Sequence, residues 1–245
     1  VSEGKLPAVP QEFRIFTSNL DELNAMLDDN LGGTLTLRDF RRIPIPAAGS
    51  TIWKIPDVNA KQGYVNTEEI SGIIIYHHPI RTFWRTPYSG GKEPPSCYSA
   101  DGKHGIGDPG GLCASCQYNQ FHTVVRSGGK EGKGKACAEK DQLFILRPQS
   151  ILPIIINVPP SSLDIARMFF RDLLEVGIPY WTAVVSLTLT EAKSDDGIVY
   201  SKLKFHKIGE VPAQFQPHVA AYREVVKEMV KAATIVAEDY TTEEK

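Results

Sequence analysis

The chain has 245 residues, enough for one or two domains with a full hydrophobic core. Its composition, 42% hydrophobic and 23% charged with a mean hydropathy of −0.20, excludes a disordered, fibrous or low-complexity protein. Net charge is −2, from 27 basic and 29 acidic side chains, which excludes a uniformly basic nucleic-acid binder and makes any polyanion site local.

Val1 to Lys5 contain no basic segment followed by an apolar core, so a cytoplasmic chain is expected. Residues 1–33 form an N-terminal helical segment: Ser18 is placed as N-cap, Leu20, Leu23, Met26, Leu27 and Leu31 recur at helical steps, and Gly32-Gly33 stop the run. Alternation at Thr34–Arg38 and again at Thr51–Ile55 predicts two strands. The β-branched run Ile70–Tyr76 and the pattern Arg81–Thr86 predict one long, bent strand. From 89 to 140 glycine becomes frequent, apolar periodicity vanishes and all four cysteines occur, which marks an insertion held by something other than a hydrophobic core. Leu143–Leu146 and Ile154–Val158 are strands, and the second is too short to cross a membrane. A capping-box-like start at Ser161 and Asp164 opens a helix to about Val176, with Leu163, Ala166, Phe170, Leu173 and Leu174 as its inner face. Tyr180–Leu189 and Tyr200–His206 make a hairpin around Ser194-Asp195-Asp196-Gly197. Residues 216–245 hold an amphipathic helix, about 217–237, with Tyr222, Val226, Met229, Ala233 and Val236 or Ala237 on one stripe, and an acidic tail.

Strands, a helix, then two more strands fit an OB-fold, a five-stranded Greek-key barrel whose helix lies between strands three and four. The fold class expected is therefore mainly β with α, with an OB core over 34–215; the alternative is an unspecified α+β domain.

The cysteines Cys97, Cys113, Cys116 and Cys137 are spaced C-x15-C-x2-C-x20-C. A two-residue gap lets two thiolates on a tight turn face one tetrahedral centre, which points to a structural Zn²⁺ site. Two disulfides or buried free thiols are the alternatives, and His104 or His122 can stand in for a thiolate. Catalytic zinc of the nucleobase-deaminase kind needs a His-x-Glu or Cys-x-Glu upstream, which is absent. Residues 129–136 approach a phosphate-binding Walker loop, but Ala136 replaces the magnesium-binding Ser/Thr, so no enzyme is expected.

Between Arg81 and Arg147 ten basic side chains face six acidic ones, a local excess in an acidic chain. Arg81, Arg85, Lys103, Lys130, Lys133 and Lys135 lie among Trp84, Tyr88, Tyr98 and Tyr118, the residue types that follow a phosphate backbone and stack on bases. These ten are the expected nucleic-acid contacts.

Phe83-Trp84, Pro94–Gly102, Cys113-Ala114-Ser115-Cys116 and Gly132–Cys137 together resemble the phage-encoded zinc-containing single-stranded DNA-binding proteins and, more loosely, the helix-destabilising proteins of T-even phages. The resemblance covers about residues 70–210. It implies a non-catalytic protein that coats single-stranded DNA in replication or recombination, in the host bacterial cytoplasm, with no membrane partner. The T-even family uses one His and three Cys at other spacings, so cooperativity and ring positions do not carry over. The acidic tail reads either as a frayed terminus or as a contact for replication or recombination proteins. A zinc-stabilised protein-interaction or transcription-regulating module without DNA affinity is the competing expectation.

Overall fold

The computed structural model describes residues 13, 20–32, 36–86, 94–125, 129, 131–148, 150–194 and 197–232. The fold is mainly β with α-helices. Helix α1 spans Leu20–Leu31, α2 Leu163–Glu175 and α3 Gln216–Ala232; the strands are β1 Trp53–Pro56, β2 Tyr64–Thr67, β3 Glu69–Phe83, β4 Cys97–Ser99, β5 His104–Gly107, β6 Gly111–Leu112, β7 Ala138–Leu146, β8 Ile154–Val158, β9 Ala183–Lys193 and β10 Val199–Glu210.

The chain divides into two compact units. The first contains residues 1–76, 143–156 and 164–233. Its sheet runs β8–β7–β3–β9–β10, the last three strands antiparallel. One face buries Ile73, Ile75, Phe144, Leu146, Ile155 and Val184 against Val219, Tyr222, Val226 and Val230 of α3. Alternation puts every second residue of these strands on that face, and the α3 positions recur at three- and four-residue steps. Gly72 of β3 leaves no room for a side chain: a Cβ there would lie 2.6 Å from the Leu146 carbonyl oxygen. β1 and β2 form a separate two-stranded antiparallel sheet, anchored where the buried Trp53 Nε1 donates to the Leu187 carbonyl at 3.2 Å.

The sheet is open. Among the described residues β8 and β10 do not pair, so the expected barrel is not closed. The physical reason is a competing strand-like segment. Arg42 bridges Ile155 in parallel, Ile43 N–H donates to the Ile155 carbonyl and Ile155 N–H to the Arg41 carbonyl, so residues 41–43 take the outer edge of β8. The same segment reaches β10, where the Ser201 hydroxyl meets the Pro46 and Ser50 carbonyls.

Several local expectations change. Leu37–Asp39 is a 3-10 turn rather than strand, because Thr36 and Asp39 cap each other reciprocally; residues 34 and 35 lie outside the described set. Tyr180–Thr182 is likewise a 3-10 turn that leads into β9. Leu174 points to solvent, 76% exposed, while Ala166 and Leu173 are buried. The α3 stripe is Val219, Tyr222, Val226 and Val230, with Met229 only packed against it. Ser18, Gly33, Asp195, Asp196 and the chain beyond 232 lie outside the described residues.

Candidate metal centre and nucleic-acid interface

The second unit contains residues 77–142 and 157–163 among those described. It has little apolar interior: Ile80, Phe83 and Val158 are its buried large hydrophobic side chains among the described residues, joined by Cys113 and Cys137. So small a core does not by itself hold more than fifty residues of loop and short strand. β4 pairs with the end of β3, Phe83 opposite Cys97, and β5 returns with Gly107 opposite Cys97.

Each cysteine is placed by backbone. Gly105 leaves room for the first: a Cβ there would lie 2.9 Å from the Cys97 sulfur. The Gly110 N–H donates toward the Cys97 sulfur. Cys113 N–H donates to the Lys103 carbonyl at 2.8 Å, and Cys116 N–H closes a 3-10 turn onto the Cys113 carbonyl at 3.3 Å, the tight turn that the two-residue gap requires. Cys137 N–H donates to the Tyr118 carbonyl at 2.8 Å. All four are free thiols and all four line one pocket of about 10 Å³, room for a single small species. Neither His104 nor His122 lines it.

Burial pushes the Cys97 thiol pKa up, and that of Cys137 up to about 11, because a thiolate there loses water and meets the other cysteines; Arg81 opposes this at Cys137. A four-thiol donor set with no carboxylate or imidazole in the lining suits a soft, tetrahedral divalent cation. As the side chains stand, no group of three or more His, Cys, Asp or Glu among the described residues could hold a metal ion. The four thiols share one lining, and holding a metal there would require their side chains to reposition.

Asn119 ties this pocket together. Its Nδ2 donates to the Cys113 carbonyl at 2.8 Å, while its Oδ1 accepts from Arg81 at 2.7 Å and from the Lys135 ammonium at 3.1 Å. Arg81, its side chain 13% exposed, also donates to the Gly102 carbonyl and pairs with Glu139 at 2.6 Å. Its guanidinium therefore braces the unit from within. Tyr118 stacks on Phe83 at 4.1 Å, half-buried. Arg85 is exposed and paired with Asp108. Trp84 and Tyr98 are half-buried, and Lys103 and Lys133 are exposed. Tyr88 and Lys130 lie outside the described residues.

Residues 122–125 and 131–134 run as antiparallel arms: His122 N–H donates to the Lys133 carbonyl, Gly132 N–H to that of Val124, and Val125 bridges Glu131. The Lys/Gly run is thus one arm of a ribbon that feeds β7, where a phosphate-binding Walker loop would feed a helix. Just before this ribbon lies a ring that is not among the ten expected contacts. Phe121 is 69% exposed, with the Lys135 ammonium 5.0 Å from its centre. Its signal was available, an aromatic between the Cys pair and the Lys/Gly run, but Tyr118 carried the same signal and turned inward.

Comparison of the chain with protein-family models, with curated proteins and with solved structures yields no match.

Proposed function

We propose that this chain binds single-stranded DNA without strong sequence preference and without catalysis, and that Cys97, Cys113, Cys116 and Cys137 hold a structural Zn²⁺ in its insertion. The observation that carries the DNA reading is the Phe121–Lys135 pair, an exposed ring with a cation over its face, flanked by the exposed Lys133 on the adjoining ribbon. A base can stack on such a ring while the ammonium meets the adjoining phosphate, a combination that does not depend on which base it is. The strand path supports an OB-like ancestry: β3, β7, β8, β9 and β10 taken as strands one to five lie in the order three-two-one-four-five, with α2 between the third and fourth. In an OB barrel the third and fifth strands also meet. Here the segment 41–50 intervenes.

The zinc supplies folding free energy, of order 10–16 kcal/mol in zinc-finger peptides, where this unit has little apolar core. Arg81 and Asn119 orient the cysteine-bearing backbone, and Gly105 gives the Cys97 sulfur its space.

Exposed Ile106 and Leu112 in the same unit favour a second reading, a zinc-stabilised protein-docking module. Fluorescence titration of oligo-dT with Phe121→Ala and Lys133→Ala separates the two. The first reading expects Phe121→Ala to cost about 1–3 kcal/mol of affinity, roughly fivefold to 150-fold, and Lys133→Ala to reduce the salt slope by about 0.7. Wild-type affinity for oligo-dT with both variants unchanged would leave the ribbon without that role, and absence of binding together with capture of a protein partner would favour the docking module.

A further inference from the structure

The first unit contains a cleft of about 330 Å³ that the proposed function does not use. Arg41 and Arg147 line it together with Asp39 and the apolar run Ile151–Ile154. Arg147 follows directly on β7 and is half-buried, and its Nε is buried with no hydrogen-bond partner. That nitrogen is closed off from solvent, so in the cleft itself Arg147 presents only its outer N–H groups, beside Arg41. Among the described residues no carboxylate forms an ion pair with Arg41 or Arg147. The nearest acid in the lining, Asp39, accepts instead from the backbone N–H and hydroxyl of Thr36, at 2.6 and 2.9 Å. Asp57 acts on Arg147 only through its charge.

We infer that this cleft is a phosphate site: Arg147 and Arg41 grip the oxygens of a phosphate group, which comes either from the backbone of a nucleic acid or from a free phosphate compound. Two guanidinium forks facing one space match a tetrahedral dianion or a phosphodiester better than a single carboxylate, because each offers parallel N–H groups in a fixed plane. The apolar wall lowers the local dielectric and strengthens the attraction. Burial first, and then the neighbouring Arg41 charge, push the Arg147 guanidinium pKa down, against the opposing charge of Asp57. The site is anchored by regular structure: Arg41 belongs to the segment hydrogen-bonded along β8, and the Ser150 N–H donates to the Arg147 carbonyl at 3.2 Å. The inference does not depend on the DNA-binding reading.

The test is titration of the full chain with pyrophosphate in one arm and with oligo-dT in the other, using wild type, Arg147→Gln, Arg41→Gln and Arg147→Lys. An uncharged-backbone analogue of the same oligomer serves as control. The expected result is a loss of about tenfold to a hundredfold in one arm for Arg147→Gln, the worth of a charge-assisted hydrogen bond, and a smaller loss for Arg147→Lys, which keeps the charge and loses the fork. Loss confined to the oligo-dT arm, with a salt slope reduced by about 0.7 per contact, identifies the strand backbone as the source. Loss confined to pyrophosphate identifies a free phosphate compound, and stands even if wild type fails to bind DNA. Folded Gln variants that bind both probes as wild type does, or wild type that binds neither, overturn it.

Discussion

Asn119 is the side chain on which the insertion's polar contacts converge, since it serves Arg81, Lys135 and the Cys113 carbonyl at once. Replacing it with Ala leaves a buried guanidinium N–H without an acceptor, so Asn119→Ala should destabilise the second unit by about 1–3 kcal/mol, read from urea unfolding. Gly105→Ala is the sharper probe of the metal reading. Its Cβ would push on the Cys97 sulfur, so the purified variant should hold less zinc than wild type while the core around Phe144 still folds. Buried His78 gives a pH signature: burial pushes its pKa below 6.5, against the Ala100 carbonyl and Gln142. Below pH 6.5 the unfolded chain takes up a proton that the folded chain refuses, so this contribution is complete above that pH and lost as pH falls. Urea midpoints at about pH 7.5 and about pH 5.5 should therefore differ less in His78→Gln than in wild type. The C-x2-C turn was legible at this scale because it is local. Asn119 was not, because its partners come from distant positions, and neither was the choice between Tyr118 and Phe121, which Phe83 decides by stacking on one of them.

At the scale of elements, long periodic runs were the most legible. The bent strand read from Ile70 to Thr86 is the continuous β3 as far as Phe83, and the helix expected to about Val176 ends at Glu175. Gly177 with φ +72° then donates to the Leu174 carbonyl and Ile178 to the Leu173 carbonyl, the paired bonds that close a helix. What periodicity could not decide was which of two adjacent leucines faces inward. Leu173 is 5% exposed and Leu174 76%, so Leu173→Ala should cost about 2–5 kcal/mol in thermal or urea unfolding, and Leu174→Ser about 0.5 kcal/mol or less. The inward face is marked by tertiary contacts, Phe169 and Phe170 packing near Phe205 at 5.3 and 6.3 Å between ring centres.

For the whole molecule, the mainly β class with helices was legible, and the open edge of the sheet did not show in the sequence. Pairing at an edge depends on a segment a hundred residues away: residues 41–43 carry the wrong pattern for a regular strand, yet they satisfy the outer edge of β8. The near-neutral net charge was equally silent about where the described cations sit, Lys133 and Lys135 near Phe121 and Arg41 and Arg147 around the cleft. Because the second unit has few buried apolar side chains, a chelator should raise amide exchange throughout residues 97–137 and spare the amides of β9 and β10. Titration of zinc-loaded wild-type protein with oligo-dT at about 50 and about 200 mM salt decides whether the chain binds single-stranded DNA through a local basic and aromatic surface. Micromolar or tighter binding is expected at the lower salt, weakening with a log–log slope of about −0.7 for each phosphate contact. No binding at the lower salt would contradict it.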